Sequence, residues 1–329
     1  MFALLAACGS KKEPPPPQAS GSPAVAVDAL VAVADAVPID APSGPIELLH
    51  SIGGSITVSS HVMNKTIKPE HLADLVRRYR SLGIEDESPL NAITEQTRAD
   101  LERELDDVDV FTGMKHWTPR IRDAVEPALA SGAETIVGLV LAPHYSRMSI
   151  GAYRRQLEEA VARRAELTFV ERWGTEPGFV ELLAERVRGT DAHVVFTAHS
   201  LPARILDEGD PYQDELLRTA SMVTEAAGLD DWSFSYQSES PTGEPWLGPD
   251  ILQHLETLNA RGIDRVLVCP VGFVADHLEI RWDLDTEAKE KAGELGIELE
   301  RIEMPNDDPE FVRVLAGIVR RALPVPSPT

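Results

Sequence analysis

The stretch that decides the fold is RVLVCPVGFVADHLEIRWDLD, residues 265–285. Residues 265–273 are mostly apolar and rich in β-branched side chains, which predicts a short buried strand. From Asp276 to Ala292 the chain contains neither glycine nor proline, which predicts a helix after a turn. Asp276 is available to cap that helix. The pattern therefore predicts a strand, a turn and a helix in succession, as in an α/β fold.

Three carboxylates recur along the predicted helix. Glu279, Asp283 and Glu287 stand four residues apart, so their side chains project from one face, near the end of the strand. One interpretation is an ordinary solvated acidic face. The other is a path along which a cation moves.

The composition limits the classes of partner. The chain has 329 residues, of which 43% are hydrophobic, enough to bury the core of one large or two modest domains. Its 54 acidic residues outnumber 31 lysines and arginines, giving a formal charge of −23. Because nucleic acids require a basic surface, we expect no nucleic-acid partner. A metal cation suits this charge better.

Cysteine usage excludes several kinds of site. Cys8 and Cys269 are the only cysteines, and they lie far apart in the sequence. They provide neither a disulfide framework nor the thiolates of a cysteine-rich zinc site or an iron–sulfur cluster. We therefore expect no iron–sulfur cluster.

The first 45 residues form a separate segment. The sequence LAAC ending at Cys8 resembles a lipoprotein signal, and a tract rich in proline and alanine follows as a predicted linker. The apolar part is short and lacks a preceding basic residue, unlike an ordinary secretory signal. Two alternatives stay open: a cytoplasmic protein with a wrongly assigned start, with or without peripheral contact to a membrane, and an envelope protein anchored through a lipid on Cys8. No other segment resembles a membrane span.

Past residue 45, short apolar runs alternate with amphipathic stretches, as in parallel sheets covered by helices. We expect an α/β fold of two similar Rossmann-like halves, each a four-stranded parallel sheet flanked by helices. The N-terminal half covers residues 46–165 and is joined by a last helix at 309–323, and the C-terminal half covers residues 166–308. Ligands of such folds bind beyond the carboxyl ends of the strands. The predicted strands are IELLHSI, DVDVFTG, TIVGLVLAP, LTFVERW, HVVFTAHSLP, WSFSYQS, RVLVCPVGF and IELERIEMP.

His199 is the histidine best placed for chemistry. It follows an apolar strand and precedes Pro202 in the sequence TAHSLP, so its ring should face the crevice between the halves. Such a histidine can be a hydrogen-bonded structural residue. Paired with Glu279 at a second strand end, it can instead bind a borderline divalent ion such as Fe²⁺ or accept a proton.

Three ordered motifs carry a family resemblance. VVFTAHSLPARILDEGDPY, YQSESPTGEPWLGPDI and PVGFVADHLEIRWDLD together resemble ferrochelatases, the class II chelatases that insert ferrous iron into a porphyrin during heme synthesis. The similarity extends through SPLNAITEQ, GMKHWTPRI, APHYSRMSIGAY and EMPNDDPEF, and so covers most of residues 69–323. QSESPTGEPWLGPD is closest to the branch that uses coproporphyrin III, and protoporphyrin IX stays open as the alternative substrate. The resemblance implies a monomer with Fe²⁺ as substrate metal and no organic cofactor.

The resemblance also implies roles for individual residues. His199 and Glu279 are the implied catalytic pair, facing each other across the macrocycle, and with Asp283 and Glu287 they are the implied metal contacts. The implied substrate-binding residues, near the propionates of the porphyrin, are Arg78, Tyr79, Ser88 and Tyr153. Arginine suits a carboxylate because its planar fork donates two hydrogen bonds at once.

The departures from the family lie near the front of the chain. Ile52 stands where the coproporphyrin branch often has a tyrosine, and residues 55–70 form an altered first loop. Two alternative functions therefore stay open. One is a heme-binding or metal-binding envelope lipoprotein that derives from ferrochelatase and has no turnover, and the other is a chelatase for another tetrapyrrole.

Overall fold

The computed structural model describes residues 69–84, 88–115, 117–240 and 242–324, together with the backbone of four short strands nearer the N-terminus. The strands are β1 Ala3–Ala7, β2 Ala29–Ala34, β3 Gly44–Pro45, β4 Ser59–Ser60, β5 Asp109–Met114, β6 Thr135–Val140, β7 Glu166–Val170, β8 His193–His199, β9 Trp232–Gln237, β10 Arg265–Cys269 and β11 Glu298–Arg301. The α-helices are α1 Pro69–Ser81, α2 Pro89–Leu105, α3 Ile121–Ala130, α4 Ile150–Val161, α5 Pro177–Val187, α6 Arg204–Asp207, α7 Tyr212–Ala227, α8 Ile251–Ala260, α9 Lys289–Leu295 and α10 Pro309–Ala322. A π-helix, Ile280–Ala288, precedes α9.

The first sheet has the strand order β1-β5-β2-β6-β7. Its strands β5, β2, β6 and β7 are parallel, whereas β1 is antiparallel to the strands it pairs with. Strand β2 lies within the tract predicted as a linker, and the strand predicted at residues 46–52 lies outside the described residues. Because β7 begins at Glu166 and pairs with β6, this strand belongs to the first half.

The second sheet confirms the predicted four-stranded parallel arrangement, with the order β11-β10-β8-β9. Strand β8 is central, pairing with β10 at Val195↔Val268 and with β9 at Thr197↔Ser235. Every residue of β8 is buried, as its continuous apolar run predicts. Parallel strands end at the same edge, so the carboxyl ends of β8, β9 and β10 meet on one side of the sheet.

One hydrophobic core spans both halves. It includes side chains of β5 and β6 from the first sheet and Phe196 and Ala198 from the second. Helix α10 packs against α2 of the first half and against α5, which leads from β7 of the first sheet to β8 of the second. There Trp173, Phe179 and Phe311 form an aromatic cluster with ring centroids 5.0–6.4 Å apart. Burial of each large apolar side chain contributes about 1.5–3 kcal/mol, so the halves are joined by substantial apolar contact.

A close backbone contact brings the ends of β8 and β10 together. The Gly272 N–H donates to the Thr197 carbonyl at 3.1 Å. A Cβ at Gly272 would lie 2.5 Å from the Ala198 Cβ, so this approach requires glycine. The turn after β10 therefore lies directly against the last residues of β8.

The segment predicted as a single helix from residue 276 to 292 differs in detail. Its central part, Ile280–Ala288, is a π-helix, and an α-helix continues from Lys289. Asp276 does not cap it; its carboxylate accepts hydrogen bonds from Arg301 and Asn306. In the described part of the chain no helix is both long and apolar enough to cross a membrane.

Candidate active site

His199 is held at the last position of β8 by contacts to its backbone and to the next residue. Its carbonyl accepts a hydrogen bond from the Tyr212 hydroxyl at 3.0 Å. The next residue, Ser200, donates its N–H to the Gln237 carbonyl at 2.8 Å and its hydroxyl to the Leu247 carbonyl at 2.7 Å. The imidazole is 6% exposed. These contacts fix the direction in which the ring leaves the sheet edge.

Glu279 meets His199 at this edge. Its Oε2 lies 3.3 Å from His199 Nδ1 and 3.7 Å from His277 Nε2. These three buried atoms make no hydrogen bond to any other group of the described residues. The backbone of Glu279 is fixed because its carbonyl accepts from Gln237 Nε2 at 3.1 Å. A carboxylate and two imidazoles thus meet at this edge of the sheet and can exchange protons with one another.

The electrostatics favour an ionised Glu279. Burial alone would raise its pKa, but His199 and then His277 beside it hold the pKa well below its usual range. Burial lowers the pKa of His277, which favours its neutral form. The centre therefore pairs an ionised carboxylate with a neutral imidazole.

Asp283 is the second carboxylate of the row, and it is 8% exposed. Burial, followed by the nearby charges of Glu279 and Glu287, raises its pKa to about 8. The Ser238 hydroxyl donates a hydrogen bond to the Asp283 carboxyl group. Ser238 has φ +64°, a left-handed conformation that non-glycine residues rarely adopt. Asp283 is thus poised to change protonation near neutral pH.

Three predicted substrate-binding residues lie beside this row. Arg78 contacts Asp74 at 2.7 Å, and one of its Nη atoms is 3.9 Å from Asp283 Oδ1. Tyr79 hydrogen-bonds to Ser88, and burial, with a smaller contribution from Glu279, raises its pKa to about 12. Helix α1 of the first half thus faces the π-helix of the second half.

Tyr153 is placed differently. Its side chain is fully buried in the first half, with the Lys115 ammonium 4.9 Å from its ring centroid. The structure therefore does not present Tyr153 to a ligand, and its predicted contribution to substrate binding stays a prediction.

Comparison with known proteins identifies the family. The family model described as Ferrochelatase matches residues 53–323, most of the chain. The chain belongs to the ferrochelatase family. It is a metal chelatase, and the family inserts ferrous iron into porphyrins, so iron is a substrate here rather than a resident cofactor.

Relatives support the same assignment. A ferrochelatase of Herpetosiphon aurantiacus is 45% identical over 269 residues, covering 76% of this chain and 88% of that protein. A coproporphyrin III ferrochelatase of Halalkalibacterium halodurans is 40% identical over 271 residues, covering 77% and 87%. A coproporphyrin III ferrochelatase of Bacillus subtilis is 38% identical over 275 residues, covering 78% and 88%.

Solved structures confirm the chelatase-like fold. SirB from Bacillus subtilis with Fe³⁺ superposes with a TM-score of 0.50 at 13% identity, covering 64% of this chain and 80% of that one. The sirohydrochlorin chelatase SirB from Bacillus subtilis subspecies spizizenii, in complex with cobalt, gives 0.51 at 14% identity, covering 72% and 91%. At these identities the likeness concerns the fold alone.

The geometry corrects one expectation drawn from the family resemblance. His199 and Glu279 do not face each other across the space of a macrocycle, because 3.3 Å between their polar atoms leaves no room for a ring. They lie side by side at one sheet edge. The implied metal contacts at His199, Glu279, Asp283 and Glu287 stay a prediction; among the described residues no group of three or more His, Cys, Asp or Glu side chains could hold a metal ion. Successive positions along a helix keep Glu279, Asp283 and Glu287 from converging on one point.

Sequence reasoning assigned no role to several residues of this centre. His277, Gln237 and Ser238 contact Glu279 or Asp283 directly. Trp246 stands edge-on to His199 with ring centroids 6.4 Å apart. The quoted motifs contain all four residues, but only their spatial proximity distinguishes them from neighbouring polar and aromatic residues.

Proposed function

We propose that this ferrochelatase inserts Fe²⁺ into coproporphyrin III, with His199 and Glu279 as its catalytic residues. The observation that carries the proposal is the pairing of two buried polar atoms, His199 Nδ1 and Glu279 Oε2, at the carboxyl edge of the second sheet, where neither bonds to another part of the structure described. The names of the two coproporphyrin III ferrochelatases at 38–40% identity support this choice of substrate.

The reaction exchanges one metal dication for the inner N–H protons of the porphyrin. Each pyrrole nitrogen that releases its proton becomes a ligand of iron, while the iron loses bound water. The coupled group of Glu279, His199 and His277 takes up the two protons: the buried imidazole of His277 is neutral and can accept one, and the other is shared between Glu279 and His199. Glu279 and His199 act from the same side of the ring in this arrangement, which leaves the opposite face to other groups.

The acidic row connects this centre with solvent. Asp283 is buried and Glu287, one step further along the helix, is half-buried. Passing Fe²⁺ from one carboxylate to the next partly compensates its charge at each step. Protons released at Glu279 can travel outwards along the same row, so we propose that the row conducts iron in and protons out.

The substrate's propionates are assigned to the α1 side of the crevice. Arg78 is partly buried and its guanidinium also lies 5.3 Å from the centroid of Trp282, so its position is well defined. Its partner Asp74 is 41% exposed, and such surface pairs contribute little stability, so a substrate carboxylate can replace it. Tyr79 and Ser88 offer hydroxyl donors nearby. Coproporphyrin III has more propionates than protoporphyrin IX and gains more from this set.

An anaerobic insertion assay with Fe²⁺ tests this assignment by comparing coproporphyrin III with protoporphyrin IX. We expect kcat/KM to favour coproporphyrin III by about tenfold or more, roughly the value of one charge-assisted hydrogen bond. Arg78→Lys should reduce that preference. Arg77→Lys is the matched control, because Arg77 also bonds Asp74 and stacks on Trp282 but lies further into solvent. Equal use of both porphyrins would contradict the substrate assignment.

The cellular location is a further proposal. A cytoplasmic enzyme fits heme synthesis, while the LAAC sequence at Cys8 favours the alternative of a lipid-anchored envelope protein that binds heme or metal without turnover. Cys8 lies outside the described residues. If the lipid signal works, the native protein sediments with membranes and Cys8→Ser releases it; unmodified protein in the cytosol excludes the anchor.

Binding of porphyrin without insertion would favour the alternative function of a heme-binding or metal-binding protein. Preference for a more carboxylated tetrapyrrole would indicate another chelatase.

We also propose that the enzyme acts as a monomer without an iron–sulfur cluster, an organic cofactor or a nucleic-acid partner. The net charge of −23 supports the lack of a nucleic-acid partner. The two distant cysteines support the lack of an iron–sulfur cluster. Sedimentation of the purified protein, with its absorption spectrum before substrate is added, tests these statements.

A further inference from the structure

Arg301 forms the most elaborate charged contact next to the acidic row. It is the last residue of the edge strand β11, and its side chain is 13% exposed. Its Nε and Nη2 donate to the two oxygens of Asp285 at 2.9 and 2.8 Å, a bidentate pair. Nη2 also donates to Asp276 Oδ1 at 3.1 Å, and Nη1 to the Ile302 carbonyl at 2.9 Å. One guanidinium thus binds two carboxylates and a carbonyl.

The two carboxylates stand on either side of the residues that matter for chemistry. Asp276 precedes the helix and Asp285 lies inside the π-helix, so Glu279 and Asp283 fall between them in the sequence. The first anchor is itself fixed, because Asp276 exchanges two hydrogen bonds with the side chain of Asn306, at 2.8 and 3.1 Å. Arg301 therefore ties together both ends of the segment that carries the first two carboxylates of the row.

A π-helix needs such support. The π-helical winding is rare, is mostly confined to short pieces and is frequently found at functional sites. The winding of residues 280–288 decides the direction in which Glu279 and Asp283 point relative to His199, which a different strand fixes. Both partners of Arg301 are largely buried, with side chains 17% and 28% exposed. Bidentate, charge-assisted contacts of this kind hold geometry better than exposed ion pairs do.

We propose that Arg301 is a positioning residue for metal insertion: by joining Asp276 to Asp285 it keeps Glu279 and Asp283 of the π-helix aligned with His199. The proposal rests on the proposed role of the acidic row in carrying iron. The hydrogen bonds of Arg301 go to Asp276, Asp285 and the Ile302 carbonyl rather than to residues assigned to the porphyrin, so it acts through the carboxylates and not on the substrate.

Arg301→Lys is the most direct test, because it keeps the charge and removes the planar fork that binds both oxygens of Asp285. We expect kcat/KM for Fe²⁺ to fall about tenfold, since small displacements of reacting groups lower rates strongly. The KM for porphyrin should stay within about twofold, because propionate binding lies on the α1 side. Arg265→Lys is the matched control: Arg265 pairs with Asp191 and Glu298 at the other end of the neighbouring strand β10, and its loss should change neither constant.

A double-mutant cycle separates positioning from a general loss of stability. If Arg301 acts through the row, Arg301→Lys and Asp283→Asn affect kcat/KM for Fe²⁺ non-additively, whereas independent effects multiply. Asp285→Asn removes the negative charge that Arg301 binds, and it should lower kcat/KM for Fe²⁺ as Arg301→Lys does. If thermal unfolding shows that Arg301→Lys does not fold, Asp285→Asn alone still tests the proposal.

The results distinguish a failure of the positioning role of Arg301 from a failure of the proposed function. Wild-type kcat/KM for Fe²⁺ in folded Arg301→Lys and Asp285→Asn, or effects that multiply independently with Asp283→Asn, overturn the positioning role while leaving iron insertion intact. A wild-type protein that does not insert iron into any porphyrin instead overturns the proposed function itself.

Discussion

Asp283→Asn should stabilise the protein, and only above acidic pH. Burial, together with the charges of Glu279 and Glu287, raises the Asp283 pKa from an ordinary 3.8 to about 8. Between these values the folded protein keeps a proton that the unfolded chain has lost. Because the unfolded state binds fewer protons there, the free energy of unfolding falls as pH rises through this window. Asparagine cannot ionise in either state, so the variant escapes this loss.

The magnitude follows from the same pKa. About four pH units at roughly 1.4 kcal/mol each set a ceiling near 6 kcal/mol for the loss caused by Asp283 at pH 8 and above. Water penetration and small movements of the helix reduce that ceiling, so we expect Asp283→Asn to gain about 1–3 kcal/mol at pH 8. Near pH 4 the gain should vanish, because Asp283 is then mostly protonated in the folded state and about half protonated in the unfolded state.

Urea unfolding of wild type and Asp283→Asn near pH 4 and pH 8 measures this difference. The same experiment links stability with function, because an ionised Asp283 should attract Fe²⁺. The apparent affinity of the wild type for Fe²⁺ should therefore improve as pH rises through about 8, and that of Asp283→Asn should be weaker and lack this rise. A change in stability of equal size at both pH values would refute the reasoning, since it would place the effect in packing instead of ionisation.

Three other substitutions test the surroundings of the site. His199→Ala should abolish iron insertion without removing the cooperative thermal transition, because the imidazole lies at a strand end; simultaneous loss of the transition would mean a structural histidine. Tyr212→Phe removes the hydroxyl that binds the His199 carbonyl and should lower kcat about tenfold with little change in KM, whereas Tyr236→Phe, whose hydroxyl contacts Gln213, should keep wild-type kcat. Gly272→Ala should destabilise the protein by about 1–3 kcal/mol or more, since its Cβ would lie 2.5 Å from that of Ala198; an unchanged melting temperature would contradict the close approach of β8 and β10.

The sequence was most informative where one signal dominates. Continuous apolar runs predicted the second sheet, because a strand buried on both faces has few alternatives to that composition. The polar residues that interrupt such runs at strand ends pointed to His199 and, with the helix that follows β10, to Glu279. Spacing by four residues placed Asp283 and Glu287 on the same side as Glu279. The π-helix changes the winding of this segment, and the pKa of Asp283 shows that all three carboxylates interact.

The sequence did not predict distances or tertiary contacts. Residue propensities do not distinguish α-helical from π-helical winding, and Arg301, which binds Asp285 of the π-helix, lies 16 residues further along the chain. For the same reason Asp276 was expected to cap the helix, although its partners lie at residues 301 and 306. A family motif indicates which residues act but not how far apart they stand, so the side-by-side arrangement of His199 and Glu279 and the burial of Tyr153 came from the structure alone.

Iron insertion by Glu279→Gln tests the central claim most directly. The amide keeps the shape of the side chain but can neither accept a pyrrole proton nor compensate the charge of Fe²⁺. Under anaerobic conditions with coproporphyrin III we expect its kcat to fall by about 10²-fold or more, the usual contribution of a general base, while porphyrin binding and the melting temperature stay close to wild type. Wild-type turnover by Glu279→Gln would contradict the site.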